Sequence, residues 1–227
     1  MNKSQQLNTR DTANQVFFDE WSKNYDGFRL SKWFQFTQKL ATSVMDIKPD
    51  NRVLDVGCGT GYAVIEIARR LDQGKAYGID ISTGMVERAI KNIPGELSNR
   101  VSFRQASAEY IPYPNSDFDY ILCTNSFHHY PEPPRALREM YRVLRPGGLL
   151  VILDNAIDLS LYTWAWDRLL RLFEKGHVRY YTTKELGEMI SKAGFKDVSL
   201  RYGKNSFMKH GKLFASLQVW SGRKPDS

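Results

Sequence analysis

Between residues 52 and 154 short apolar runs alternate five times with segments of helical spacing. Arg52 to Val56, Lys75 to Ile81, Val101 to Ala106, Phe118 to Cys123 and Leu149 to Leu153 have the length and apolar content of strands. Helical periodicity marks Ala63 to Leu71, Met85 to Ile93 and Pro134 to Leu144; Pro94-Gly95 stops the second and Pro146-Gly147-Gly148 the third. Repeated alternation of this kind predicts a parallel, doubly wound sheet, with a ligand at the carboxyl ends of the strands where their order reverses.

The pattern changes on either side. Residues 1 to 15 are polar and predicted to fray, and an aromatic stretch follows from Val16 to Gly27. Phe36, Leu40, Val44 and Ile47 then keep roughly helical spacing up to Lys48-Pro49. Beyond Asp154, one amphipathic helix is expected from Leu161 to Lys175, with Tyr162, Trp166, Leu169 and Phe173 on its apolar stripe and Arg168, Arg171 and Lys175 opposite. A helix capped by Thr183 ends at Ala193-Gly194-Phe195. The runs Asp197 to Tyr202 and Leu213 to Trp220 make a sixth and a seventh strand. Their connection is too short for a helical crossover, so they should pair as an antiparallel hairpin.

Composition narrows the setting. A chain of 227 residues suits one α/β domain with additions. Its two cysteines fall in the glycine-rich turn and in an apolar strand, which suggests neither a disulfide framework nor a metal cluster and makes the cytoplasm the expected location. No apolar run is long enough to span a bilayer. The net charge of +7 is uneven: residues 160 to 227 hold thirteen Lys or Arg against six Asp or Glu, and the remainder nineteen of each. Such a basic region suits acidic substrates, anionic surfaces or nucleic acid, although scattered solvated lysines are the commoner explanation.

The candidate chemistry begins at Gly57-Cys58-Gly59-Thr60-Gly61, which joins the first strand to a helix. Glycine at these positions reaches positive φ and lets a ligand lie against the backbone. Asp80 ends the second strand nineteen residues after Gly61, close to the separation at which a βαβ nucleotide site presents a carboxylate to ribose hydroxyls. His128 and His129 are adjacent; on a helix or strand two such side chains diverge, so no metal site is expected from the pair.

Four blocks, Val53 to Gly61, Gly78 to Ser82, Ala108 to Tyr113 and Arg142 to Gly148, together resemble the class I S-adenosylmethionine-dependent methyltransferases, in particular the group related to the ubiquinone and menaquinone biosynthesis enzymes. The resemblance covers residues 52 to 154 well, Phe17 to Asp26 loosely and residues 159 to 227 hardly at all. It implies a Rossmann-like α/β fold of seven strands, mostly parallel with a C-terminal antiparallel hairpin and with helices on both faces. The chain is read as one domain, 1–227, with an N-terminal lid and helix (16–47), a cofactor-binding core (52–154), a helical substrate cap (159–181), expected there because it follows the fifth strand at the edge that faces the transferred methyl, and the C-terminal part of the sheet (182–227). With S-adenosylmethionine as cofactor, the resemblance assigns Gly57 and Gly59 to the methionine part, Asp80 to the ribose, Ile81 and the backbone of Ala108 to the adenine, Asn125 to the methionine end and Tyr25 to the lid. Where the family commonly has an aspartate that accepts from the adenine amino group, this chain has Ser107, whose hydroxyl accepts without charge assistance.

The expected activity is in-line methyl transfer to a small acceptor, acidic or aromatic, with His129 as candidate base and Tyr162, Trp164, Trp166 and Arg179 as candidate acceptor contacts. Three alternatives carry less. Nicotinamide-dependent oxidoreduction calls for a two-residue gap before the third glycine, which is missing here. Nucleic-acid methylation draws on the basic C-terminal third, but Thr124-Asn125-Ser126-Phe127 lacks the proline-containing motif of the amino-methylating enzymes and no binding module is appended. Cofactor binding without catalysis is separated only by assay. Oligomeric state is not encoded in any pattern found.

Overall fold

The computed structural model describes residues 9–22, 28–173, 177–202 and 216–226. Seven strands form one sheet: β1 (Arg52–Val56), β2 (Lys75–Asp80), β3 (Val101–Gln105), β4 (Phe118–Thr124), β5 (Leu144–Asn155), β6 (Lys196–Tyr202) and β7 (Leu217–Arg223), in the order β3-β2-β1-β4-β5-β7-β6. The first five are mutually parallel, while β7 runs antiparallel to both β5 and β6. The mostly parallel sheet and its antiparallel C-terminal pair are as expected. The chain moves outward from β1 to β3 and then returns to β4 beside β1, which opens a crevice at the carboxyl ends of these two strands.

Helices cover both faces, so the central strands are apolar on both sides rather than alternating with polar residues. Leu54, Val56, Ile121, Cys123, Leu150 and Ile152 point into one core with α5 (Pro133–Val143) and α7 (Thr183–Lys192). Val53, Leu122, Val151 and Leu153, one residue out of phase, point into the other with α2 (Phe28–Thr42), α3 (Tyr62–Ala68) and α4 (Thr83–Lys91). Among the described residues no helix is long and apolar enough to cross a membrane.

Several boundaries differ from expectation, each for a local reason. Pro146-Gly147-Gly148 lies inside β5, where a register shift between Phe118 and Tyr120 and a φ of 73° at Gly147 accommodate it as a bulge. Thr182, not Thr183, caps α7: its hydroxyl accepts from Glu185 N while the Glu185 carboxylate accepts from Thr182 N, a reciprocal capping box. Helix α2 ends at Thr42, and Val44 and Ile47 pack against the core beyond it. The N-terminal segment is not frayed through residue 15, because α1 (Thr9–Ser22) is held by tertiary bonds. Buried Asn14 donates from Nδ2 to the carbonyl of His129 at 2.8 Å. Asp19 Oδ1 accepts from Ser82 Oγ at 2.6 Å and from Gly84 N at 2.9 Å, which ties α1 to the first turn of α4. The expected start of the seventh strand at Leu213 lies outside the described residues.

Candidate active site

β1 runs straight into the glycine turn, and the amides of Gly57 and Cys58 both donate to Ile79 O, at 2.8 and 3.0 Å, hooking the turn over the end of β2. Gly57 has φ +77°, and a Cβ there would stand 1.8 Å from Ser126 Oγ and 2.6 Å from Ser126 Cβ. The turn therefore packs directly on the segment that follows β4. Cys58, which is buried beside it, has its thiol pushed well up by burial and by the nearby Asp80 and Asp55 carboxylates, so it is no nucleophile.

Asp80 closes β2 and faces the turn. Its Oδ2 accepts from Gly59 N at 2.9 Å and its Oδ1 from Ser82 N at 3.0 Å. Burial pushes this carboxyl above its ordinary pKa, and the two amide bonds pull it back. A carboxylate has about four acceptor positions, so two bonded amides leave capacity for further donors. Asp55, two residues before Gly57, is different: it is buried, neither carboxyl oxygen has a hydrogen-bond partner, and burial with the Asp80 charge pushes its pKa up to about 8.

Beyond β3, the Ser107 hydroxyl donates to Glu109 Oε2 at 2.5 Å and accepts from Glu109 N at 3.2 Å. The hydroxyl expected to accept from the adenine is thus coupled to a buried carboxylate, to which spacing alone assigns no role. Glu109 stands two positions after the residue where the family's aspartate would be, and Ala108-Glu109 was the available signal. Asn125, at φ +50°, donates from Nδ2 to Thr37 Oγ1 at 2.7 Å and so joins the end of β4 to α2.

At the other end stand the histidines. Phe127–His129 is a short 3-10 turn, which brings the His128 and His129 rings to 3.9 Å between centroids instead of letting them diverge. The segment after α6 (Leu161–Phe173) docks here, with Val178 N and Arg179 N both donating to His128 O. That docking adds His177 to the pair, a neighbour 48 residues away that no spacing rule would give.

One cavity of about 1150 Å³ joins these features. Gly57, Gly59, Asp80, Ile81, Ser107, Ala108 and Asn125 line it, as do His129, Tyr162 and Trp166. Glu109, Asn14, Phe17, Phe18 and Tyr180 are among the other lining residues. Tyr25 falls outside the described residues. Two expected acceptor contacts are elsewhere. Trp164 is on another face of α6, under the Arg168 guanidinium at 5.6 Å, because two residues along a helix are about 200° apart. Arg179 pairs with Glu185 at 2.9 Å and lies over the Tyr181 ring, away from the lining. The cradle suits the cofactor named by the resemblance: a turn that tolerates no side chain at Gly57, a buried acid at a strand end and an apolar slot between Ile81 and Ala108.

Comparison with known proteins agrees. Residues 54–152 match the family model described as a methyltransferase domain. The 27-O-demethylrifamycin SV methyltransferase of Amycolatopsis mediterranei is 32% identical over 191 residues, which cover 81% of this chain and 69% of that protein. The demethylmenaquinone methyltransferase of Bacillus mycoides is 27% identical over 207 residues, covering 81% and 87%. Other relatives are longer, and the chain spans 40% and 34% of two of them. The fold is shared with Haemonchus contortus phosphoethanolamine N-methyltransferase 2, solved with phosphomonomethylethanolamine and S-adenosylhomocysteine, at TM-score 0.76 and 16% identity, covering 93% of this chain and 60% of that one. The Amycolatopsis mediterranei relative, 32% identical and covered over 69% of its length, places the chain among the class I methyltransferases: it belongs to that family as an enzyme and takes S-adenosylmethionine as its cofactor.

Proposed function

We propose that the enzyme methylates a small, neutral and largely apolar acceptor that lies beneath α6 and is attacked in line with the cofactor's S–CH₃ bond. The observation that carries this reading is the cavity, whose two ends differ in chemistry. Its volume exceeds the roughly 300–1,000 Å³ that one drug-sized ligand fills, which suits a cofactor and an acceptor side by side. In this reading Asp80 accepts the ribose hydroxyls, Gly57 and Gly59 lie against the methionine part, Ile81 and Ala108 flank the adenine, Ser107 with Glu109 meets the adenine edge, Asn125 stands near the methionine end, and Tyr25 belongs to the lid. The acceptor end is walled by Phe17, Phe18, Tyr162, Trp166 and Leu169.

Among the described residues no Lys or Arg lines the cavity. Arg171 is paired with Asp167 at 2.7 Å and Arg179 with Glu185, so of the acidic and aromatic acceptors expected this lining favours the aromatic one. Relatives named for demethylrifamycin and demethylmenaquinone substrates agree with small acceptors. The cofactor supplies an activated methyl on a sulfonium. The chain's own task is to hold the acceptor in line and keep water out, which in well-oriented systems accounts for roughly 7–11 kcal/mol of barrier. A hydroxyl or amine acceptor must also lose a proton, and His129 is the candidate group at that end of the cavity.

Methyl-release assays over pools of neutral aromatic compounds are expected to yield S-adenosylhomocysteine; release with RNA or DNA alone would overturn the small-molecule reading. Asp80→Ala is expected to cost roughly 2–4 kcal/mol of cofactor affinity, because two hydroxyls lose a charged acceptor. Calorimetric titration with S-adenosylhomocysteine checks this, and unchanged affinity removes Asp80 from the site. Trp166→Ala is expected to raise the acceptor KM about 5- to 30-fold, the value of roughly 1–2 kcal/mol of lost apolar contact, with cofactor affinity intact. Trp164→Ala, on the other face of α6, should leave both constants near wild type; the reverse ranking would place the acceptor elsewhere.

A further inference from the structure

Three of the chain's four histidines converge at the acceptor end of the cavity. One ring nitrogen from each of His128, His129 and His177 lies within 4.8 Å of the other two. Two of the rings are backed by carboxylates: Asp154 holds His128 Nδ1 at 2.8 Å, and Asp167 Oδ1 holds His177 Nε2 at 2.9 Å. Asp167 is itself fixed by Tyr180 N at 2.7 Å and by Arg171 at 2.7 Å, and Asp154 by the amides of His128 and Asn155. The remaining nitrogen of His177, Nδ1, is buried and has no hydrogen-bond partner.

We propose that His128, His129 and His177 form a binding site for a divalent transition-metal ion of the zinc class. An imidazole whose second nitrogen is held by a carboxylate is the arrangement that orients metal-binding histidines and raises their basicity. Here that arrangement occurs twice in one cluster. The nitrogens the carboxylates leave over, Nε2 of His128 and Nδ1 of His177, are those an ion would take, and an ion would satisfy the orphaned Nδ1. The nearby Asp154 and Asp167 carboxylates offset the charge that three neutral imidazoles would leave on a dication. Bonds of about 2.0–2.1 Å to zinc imply nitrogens about 3.3 Å apart; one nitrogen of each ring already lies within 4.8 Å of the other two, so the rings draw together when an ion binds. Imidazole donors select this class over magnesium or calcium, which prefer oxygen. Because His128 and His129 line the cavity, a three-histidine ion would keep an open position toward it.

The site stands on the imidazoles and not on the acceptor reading, so it is tested by binding. Chelator-treated protein is titrated with Zn²⁺ by calorimetry and with Co²⁺ by visible absorption. One equivalent at micromolar affinity or tighter is expected, with the intense d–d bands of a four-coordinate cobalt site. His128→Asn and His177→Asn should each weaken binding about 100-fold while S-adenosylhomocysteine affinity stays unchanged. Should a variant fail to fold, imidazole nitrogen resonances of the wild type give the answer, with shifts expected at His128 Nε2 and His177 Nδ1 on adding Zn²⁺. No ion bound by the wild type, resonances that do not move, or binding undiminished in both folded variants would overturn the site.

Discussion

Gly57→Ala is expected to abolish measurable cofactor binding and to destabilise the fold by several kcal/mol. Two costs add at this position. A residue with a Cβ held at φ +77° pays about 1–2 kcal/mol relative to glycine. Its Cβ would also overlap Ser126 Oγ at 1.8 Å and Ser126 Cβ at 2.6 Å, and turning the hydroxyl away relieves only the first contact. Either the turn or the segment after β4 must move, and that segment leads into the 3-10 turn bearing His128 and His129. Urea unfolding and calorimetric titration measure the two losses. The double variant Gly57→Ala, Ser126→Gly should recover part of the stability, since it removes the overlap and leaves the dihedral cost. Equal stability of the single and double variants would show that packing against Ser126 is not what excludes a side chain.

The second large effect is a dependence of stability on pH that Asp55→Asn should remove. In the unfolded chain this carboxyl ionises near pH 4, whereas in the fold burial and the Asp80 charge hold its pKa up to about 8. Between those values the unfolded state has released a proton that the native state retains, so the unfolding free energy falls as pH rises and levels off above the folded pKa. A gap of about four units corresponds to a decline on the order of 5 kcal/mol. The amide cannot ionise, although it keeps the cost of unpartnered polar atoms in an apolar surround. The stability of Asp55→Asn relative to wild type should therefore grow steadily from pH 5 to pH 8. Denaturant curves at pH 5, 6.5 and 8 decide it; parallel behaviour of the two proteins would mean that Asp55 ionises normally in the fold.

The parts of the molecule that sequence reasoning reached were those written in local pattern. Strands β1, β2 and β4 appear as apolar runs and the edge strand β3 as an alternation of apolar and polar residues; the glycine turn and Asp80 follow from spacing alone. Helix α1 leaves no such local pattern, because its order comes from partners far along the chain, His129 for Asn14 and Ser82 with Gly84 for Asp19, and its first half is polar. The phase of α6 is legible for Tyr162, Trp166 and Leu169, all on the cavity; Trp164 shares their residue type but stands at another helical angle. The pairing that occupies Arg179 leaves no local signal, because its partner Glu185 belongs to the next helix, where it also serves the cap of α7. The histidine cluster depends on a 3-10 turn and on a returning segment, and neither leaves a periodic trace.

The place of β7 in the sheet bears on how the protein is made. Last of the described strands to leave the ribosome, it occupies an interior position between β5 and β6, which are both synthesised before it. Until residues 217–223 emerge, β5 and β6 have no strand to join them, and β5 presents the unpaired edge of an otherwise complete five-stranded parallel sheet. Such an edge invites pairing with another nascent chain. The glycine turn and the crevice it borders can therefore form during synthesis, while closure of the sheet waits for the C-terminal segment and makes that interval the aggregation-sensitive stage of production.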